Sequence, residues 1–180
     1  QDELTRASLQ KTPQEVLAVF EQPIWTYDIL SVSKSLCLAL DDIQDPGNLG
    51  TIIRLCDWFG IDDLICSKET VDMYNPKVVQ ATMGSLTRVN IHYTNLSTFL
   101  QNTKEPIYGT FMDGANIYKT DLLTDGIIVM GNEANGISTE IARLVTSKIA
   151  IPRFGKLQQT ESLNVATATA IILSEFKRND

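Results

Sequence analysis

From Leu36 onward, hydrophobic and polar positions follow a repeating pattern. Short unbroken apolar runs alternate with stretches whose apolar residues recur every three or four positions. The runs Leu36–Leu40, Leu64–Cys66, Val89–Tyr93, Ile107–Phe111, Ile127–Met130 and Ile149–Ile151 read as strands. Unbroken apolarity over that length suits a strand covered on both faces, as in a parallel sheet. Between them the periodicity predicts helices over Leu49–Phe59, Pro76–Met83, Leu96–Gln101, Ser138–Val145 and Val165–Phe176. Gly60 is placed to stop the first of these, and Pro76 to open the second. The alternation predicts an α/β fold, a mostly parallel sheet flanked by helices.

Residues 1–34 do not follow this pattern. Leu4 to Lys11 is polar, Pro13 interrupts it, Glu15–Phe20 fits either a strand or a short helix, and Pro23 closes it. Trp25, Tyr27 and Leu30 are apolar anchors expected to dock on the main domain. The chain therefore divides into an N-terminal arm, 1–34, and a main domain, 35–180. Because the first residue is Gln1, the natural chain is expected to begin earlier, and the arm to be the trailing edge of a preceding domain.

Composition narrows the class. With 180 residues, 43% of them hydrophobic, the chain can build one well-packed domain. No apolar run approaches the roughly 20 residues that span a bilayer, and no signal peptide is evident, so a cytoplasmic protein without membrane association is expected. Cys37, Cys56 and Cys66 sit in apolar segments without a CxxC pair and read as buried, reduced thiols. The single His92 reads as a strand residue, and no metal site is expected. A net charge of −7 speaks against a general affinity for nucleic acid. Between Ile141 and Thr160, however, the chain carries Arg143, Lys148, Arg153 and Lys156 and no acid. That stretch is either a solvated helix end and loop or a local phosphate-binding surface.

Sites in such folds lie beyond the carboxyl ends of the strands. The loops there are Asp41–Asn48, Asp113–Asn116, Gly131–Gly136 and Pro152–Glu161. In the first, Asn48 is a candidate N-cap, and Gly50 shares a helix face with Arg54, leaving room beside the guanidinium. A glycine there costs roughly 1 kcal/mol against alanine, which asks for a reason. The loop Gly131-Asn132-Glu133-Ala134-Asn135-Gly136 has neither the Lys-Ser/Thr of a P-loop nor GxGxxG, and Glu133 would repel phosphate. A carboxylate at a strand end is better suited to orienting an amide or guanidinium, or to receiving a cationic ligand. Around the last loop, Ile151-Pro152 precedes Ser162-Leu163-Asn164; Ser162 reads as an N-cap, and Asn164 is a poor residue inside a helix. The run Ala166–Ala170 is small on every face, which predicts close packing against another element or a second subunit. Each segment alone also reads as a plain turn or cap. Together they support a ligand or active site without choosing its reaction.

Taken in order, the segments resemble the three motifs of the SpoU/TrmH family of RNA ribose methyltransferases. The residues that carry this are Asp45-Pro46-Gly47-Asn48-Leu49-Gly50 with Arg54, Ile128–Gly136, and Ile149–Pro152 with Ser162–Val165. Met83-Gly84-Ser85-Leu86 and Asp113-Gly114-Ala115 fit as well, and Ala134 stands where a glycine is common. The resemblance implies a SPOUT-type domain whose carboxyl-terminal segment forms a trefoil knot. It implies S-adenosylmethionine in that knot, an RNA substrate (tRNA or rRNA) and a homodimer. Carried over residue by residue, Gly131, Ile151 and Leu163 would hold the cofactor, with Thr110 a further candidate. Asn48, Arg54, Glu133, Ser162 and Asn164 would be the catalytic set, with Asn48 and Glu133 orienting Arg54. Two other readings are a non-catalytic RNA-binding relative and a dinucleotide-dependent oxidoreductase. The latter wants a glycine fingerprint where this chain has Pro46 and Asn48.

Overall fold

In the computed structural model, which describes residues 2–8, 12, 15, 16, 18–22, 35–155, 157 and 162–178, the apolar runs are the sheet. Its strands are β1 (Leu36–Asp41), β2 (Asp63–Ser67), β3 (Asn90–Thr94), β4 (Ile107–Asn116), β5 (Gly126–Gly131) and β6 (Ser147–Ala150). They are all parallel, in the order β3-β2-β1-β5-β4-β6. Every residue of β1 is buried because the strand is covered on both faces. Leu36, Leu38 and Leu40 enter one core layer with helices α2 (Pro46–Phe59), α3 (Pro76–Thr82) and α6 (Val165–Phe176). Cys37 and Ala39 enter the other with α4 (Leu96–Gln101) and α5 (Thr139–Ala142). An alternating pattern is absent for that reason.

The cysteines and the histidine fall as expected. Cys37, Cys56 and Cys66 are free and buried, and burial pushes all three thiols up, away from reactivity. His92 lies buried on β3 with its Nε2 2.9 Å from Asp63 Oδ1.

Several boundaries differ. The helix expected over Ser138–Val145 is only Thr139–Ala142, and the last strand is Ser147–Ala150, so Ile151 lies just past its end. Helix α2 starts earlier than Leu49: Asp45, not Asn48, is its N-cap, accepting from Asn48 N–H at 2.8 Å, with Pro46 preset for the first turn. Strand β4 runs on to Asn116 and meets β6 twice, once through Tyr108–Thr110 and again, after a register shift, through Ala115 and Asn116. Its outer half was hidden by the polar composition of Met112–Asn116. A short helix, α1 (Asp2–Ala7), forms where the sequence showed only polarity. Among the described residues of Glu15–Phe20 there is neither strand nor helix, and Val16, Val19 and Phe20 are exposed. Pro13, Pro23, Trp25, Tyr27 and Leu30 lie outside the described residues.

Gly50 has a different reason from the one expected. It is buried, and a Cβ there would stand 2.5 Å from Ala81 Cβ and 2.9 Å from the Val78 carbonyl oxygen. The missing side chain makes room for α3, not for Arg54. Beyond α3, Met83 and Gly84 turn the chain through positive φ. Ser85 and Arg88 then hydrogen-bond Asp57 of α2, and the guanidinium holds that carboxyl below its usual range. In Gly50→Ala the helix-propensity gain of about 1 kcal/mol is outweighed by the clash with α3. A lower urea midpoint with unchanged slope is expected, whereas exposed Thr51→Ala stays within about 0.5 kcal/mol.

Candidate active site

The site begins with the register of two strands. Strands β1 and β5 pair residue for residue from Leu36↔Gly126 to Asp41↔Gly131, so both end at the same level. The loops that follow are therefore side by side. Asp41, buried, accepts from Ser138 N–H at 2.7 Å. Asp42 adopts φ 60, and its carbonyl accepts from Asn132 Nδ2 at 2.7 Å. The amide oxygen of Asn132 accepts from Ala134 and Asn135 N–H, and its backbone bridges to Gly136. This folds 131–136 so tightly that a Cβ on Gly131 would lie 2.2 Å from Ile137 N. Glycine is required there by the close approach of backbone.

A chain of three side chains crosses these loops. Asn164 Nδ2 donates to Asn48 Oδ1 at 2.9 Å, and Asn48 Nδ2 donates to Glu133 Oε1 at 3.0 Å. The Glu133 carboxylate also accepts, at 3.4 Å each, from the backbone N–H groups of Gln44 and Asp45. Asn164, rather than Ser162, is the N-cap of α6: its Oδ1 accepts from Ala166 N–H at 3.0 Å and Thr167 N–H at 3.2 Å. That explains an asparagine at this place, since at a cap its short amide is favourable rather than costly. The cap also fixes direction. With Oδ1 taken by the helix, Asn164 presents Nδ2 to Asn48, which must then turn its own Nδ2 to Glu133.

Two adjoining clefts flank this chain. One, of about 550 Å³, is lined by Gln44, Asp45, Asn48, Glu133, Ser162 and Asn164 among others. The second, of about 1330 Å³, has an apolar floor of Met130, Ile151, Val165, Ala168 and Ile172, with Thr110, Gly131 and Leu163 on its walls. Glu133, Ser162, Leu163 and Val165 line both. The structure thus gathers seven of the eight expected site residues. Arg54 is the exception. It is exposed, makes no hydrogen bond or ion pair to a described residue, and lines neither cleft. Six residues beyond Asn48, it lies about 120° round the helix at 3.6 residues per turn, on one stripe with Gly47, Thr51 and Trp58. Asn48 therefore bonds to both Glu133 and Asn164, and neither Asn48 nor Glu133 bonds the Arg54 of its own chain.

Of the basic stretch, Arg143 is exposed, Lys148 sets its Nζ 4.6 Å from the centre of the Phe111 ring, and Arg153 lines the larger cleft. Lys156 lies outside the described residues. Sequence reasoning missed Asp42 and Asn132 as the clasp between the loops. The available signal was an Asp just past a strand end, before Asp45-Pro46-Gly47-Asn48, since Asp and Asn tolerate the left-handed conformation that Asp42 adopts better than most residues.

Among the described residues there is no cluster of metal-ligating side chains and no helix long and apolar enough to cross a membrane. Relatives with known names share this architecture. The 23S rRNA (guanosine(2553)-2'-O)-methyltransferase RlmP of Bacillus subtilis is 29% identical over 181 residues, which cover 98% of this chain and 70% of that protein. A TrmH-family structure from Porphyromonas gingivalis matches with TM-score 0.83 and 40% identity, over 98% of this chain and 71% of that one. An AdoMet-bound rRNA methyltransferase from Sinorhizobium meliloti matches with TM-score 0.73 and 35% identity, over 81% of this chain and 57% of that one. Against two further methyltransferase relatives the chain spans 53% and 58% of their length. Residues 35–174 match the sequence model of the SpoU rRNA Methylase family, and with the motif residues converging on two adjoining clefts, the chain belongs to that family.

Proposed function

We propose that this protein transfers a methyl group from S-adenosylmethionine to a ribose 2'-hydroxyl of RNA, tRNA or rRNA, in the cytoplasm and as a homodimer. The observation that carries the reading is the pair of clefts sharing Glu133, Ser162 and Leu163: one with an apolar floor and volume enough for an adenosyl group, one smaller, with Asn48, Ser162 and Asn164 in its lining and room for a ribose. The larger cleft fits the donor, since it combines an apolar floor with the carboxylates of Asp113 and Glu133, suited to a ligand bearing positive charge. When bound, S-adenosylmethionine supplies a methyl group on a cationic sulfur.

The chain's own residues would do the rest. Gly131, Ile151 and Leu163 would hold the adenosyl group. Asn48, fixed through Asn164, and Ser162 would orient the ribose, which is the positioning an in-line attack needs. The hydroxyl oxygen would receive the methyl group of the bound donor, which leaves as a neutral thioether, with the hydroxyl proton passing to phosphate or solvent. The Arg54 guanidinium would stabilise the developing alkoxide. Its own clefts do not contain it, which supports the dimer. The stripe Gly47, Thr51, Arg54, Trp58 is exposed on α2, which packs on α6 with its small exposed Thr167 and Ser174. A homodimer burying this surface would bring Arg54 to the partner's cleft.

We infer also that the segment after β6 threads the preceding loops as a trefoil knot. The second pairing of β4 with β6 supports this, as does the crossing at Gly114, where a Cβ would lie 2.5 Å from the Ile149 carbonyl carbon. The family match beginning at residue 35 supports 1–34 as a separate arm on a domain of 35–180.

Calorimetric titration with S-adenosylmethionine, together with methyl transfer to bulk RNA, tests the whole reading; donor binding without transfer would favour a non-catalytic relative. Arg54→Lys is expected to lower turnover by about 10²–10³, the usual loss for a donor to a developing oxyanion, with donor affinity unchanged. Near-normal turnover would rule out a guanidinium role. Replacing Lys148 and Arg153 by Gln together should weaken RNA binding and reduce its log–log salt slope by roughly 1–2. An unchanged slope would take both residues out of the interface.

A further inference from the structure

The rim of the larger cleft carries an aromatic surface that neither the donor nor the ribose accounts for. Phe154 lines the cleft yet is 82% exposed. Its ring lies 6.4 Å from that of Tyr118, centre to centre, tilted by 30°, and Tyr118 is itself 41% exposed. Tyr118 is held in place: its backbone N–H donates to Asn116 Oδ1 at 3.0 Å, in the short helical turn Ile117–Lys119 after β4. Phe154 thus stands beside a ring whose backbone is fixed, and is itself open to solvent.

Exposed aromatic rings of this kind ask for a covering partner. The cleft is larger than the roughly 300–1,000 Å³ usual for one small ligand, so a donor in its apolar floor leaves its mouth open. Arg153, next to Phe154 in the chain, lines the same cleft and supplies a cation beside the ring. Phe154 lies in the stretch from Ile141 to Thr160, which carries four basic residues and no acid in a chain of net charge −7. Lys148 and Arg153 belong to it. Aromatic faces beside cations are what unpaired nucleic acid needs: bases stack on the rings, and phosphates meet the cations. A base inside a duplex has no free face to offer.

We propose that Phe154, backed by Tyr118, is a stacking platform for an unpaired nucleobase next to the methylated nucleotide. The RNA is accordingly single-stranded where it crosses the mouth of the cleft. The inference rests on the methyltransferase reading and specifies its substrate.

The test uses the full chain with Phe154→Ala and Phe154→Trp. Binding to a fluorescent single-stranded oligoribonucleotide of mixed sequence and to an RNA duplex of equal length is read by anisotropy. S-adenosylhomocysteine binding is read by calorimetry, and oligomeric state by light scattering. Phe154→Ala should weaken single-strand binding roughly tenfold, the scale of one lost base stack, and leave the other three measurements unchanged. Phe154→Trp should restore it. Unaltered single-strand binding, an equal loss on duplex, weaker S-adenosylhomocysteine binding or a changed oligomeric state each overturns the platform. The last two would assign Phe154 to the donor site or to a subunit interface. Wild-type protein that neither bound nor methylated RNA would fail the functional reading itself, whereas wild-type binding indifferent to Phe154 sinks only the platform.

Discussion

The site depends on the register of β1 against β5. Six consecutive pairs bring Asp41 level with Gly131, and parallel strands that end together must send their loops out side by side. A slip of one residue would turn Leu38 and Ile128 towards the wrong layer, so core burial itself enforces the alignment. The hydrophobic packing of the sheet interior and the polar geometry at its edge are thus one constraint. Burial fixes register, register fixes the loops, and the Asp42–Asn132 clasp locks them.

On that frame Asn164 joins two kinds of order. As a helix cap it satisfies N–H groups that α6 leaves without intrahelical partners. The same amide then points its other end at Asn48, and through it at Glu133. An aspartate could cap as well but could not donate, and a serine could not reach both. The residue type follows from needing an acceptor towards the helix and a donor towards the cleft in one short, planar group.

Much of this was legible in the sequence, for identifiable reasons. The strand runs were readable because double-sided burial leaves no polar interruption, as in Leu36–Leu40. The loop residues Asn48, Glu133, Ser162 and Asn164 stood out because each sits at a strand end or helix start, although Asn48 and Ser162 read equally well as plain caps. What could not be read depended on approach between distant segments. Nothing local in Gly50 tells that α3 rests on it, and nothing in Met112–Asn116 tells that β4 continues to a second pairing with β6. Ser162 and Asn164 are both good caps by composition; only the path of the chain into α6 chooses between them. Arg54 shows the same limit: periodicity puts it on an exposed stripe, and no property of one chain says what that stripe meets.

The acidity of the chain, odd for a protein that handles RNA, is accommodated by where the charges lie. Asp113 and Glu133 line the cleft proposed for a cationic donor, and Asp45 lines the smaller cleft beside it. Arg143, Lys148 and Arg153 lie on the stretch proposed for phosphate. Arg153 itself lines the cleft with Asp113 and Glu133. Charges farther apart than roughly 8 Å are largely screened at physiological ionic strength, so the groups that touch the RNA outweigh the net −7 there. Its cost falls on encounter instead: such a chain cannot draw RNA from a distance as a basic one does. Recognition must then rest on short-range contacts, meaning shape, stacking and a few phosphates, which favours selectivity over general affinity for nucleic acid.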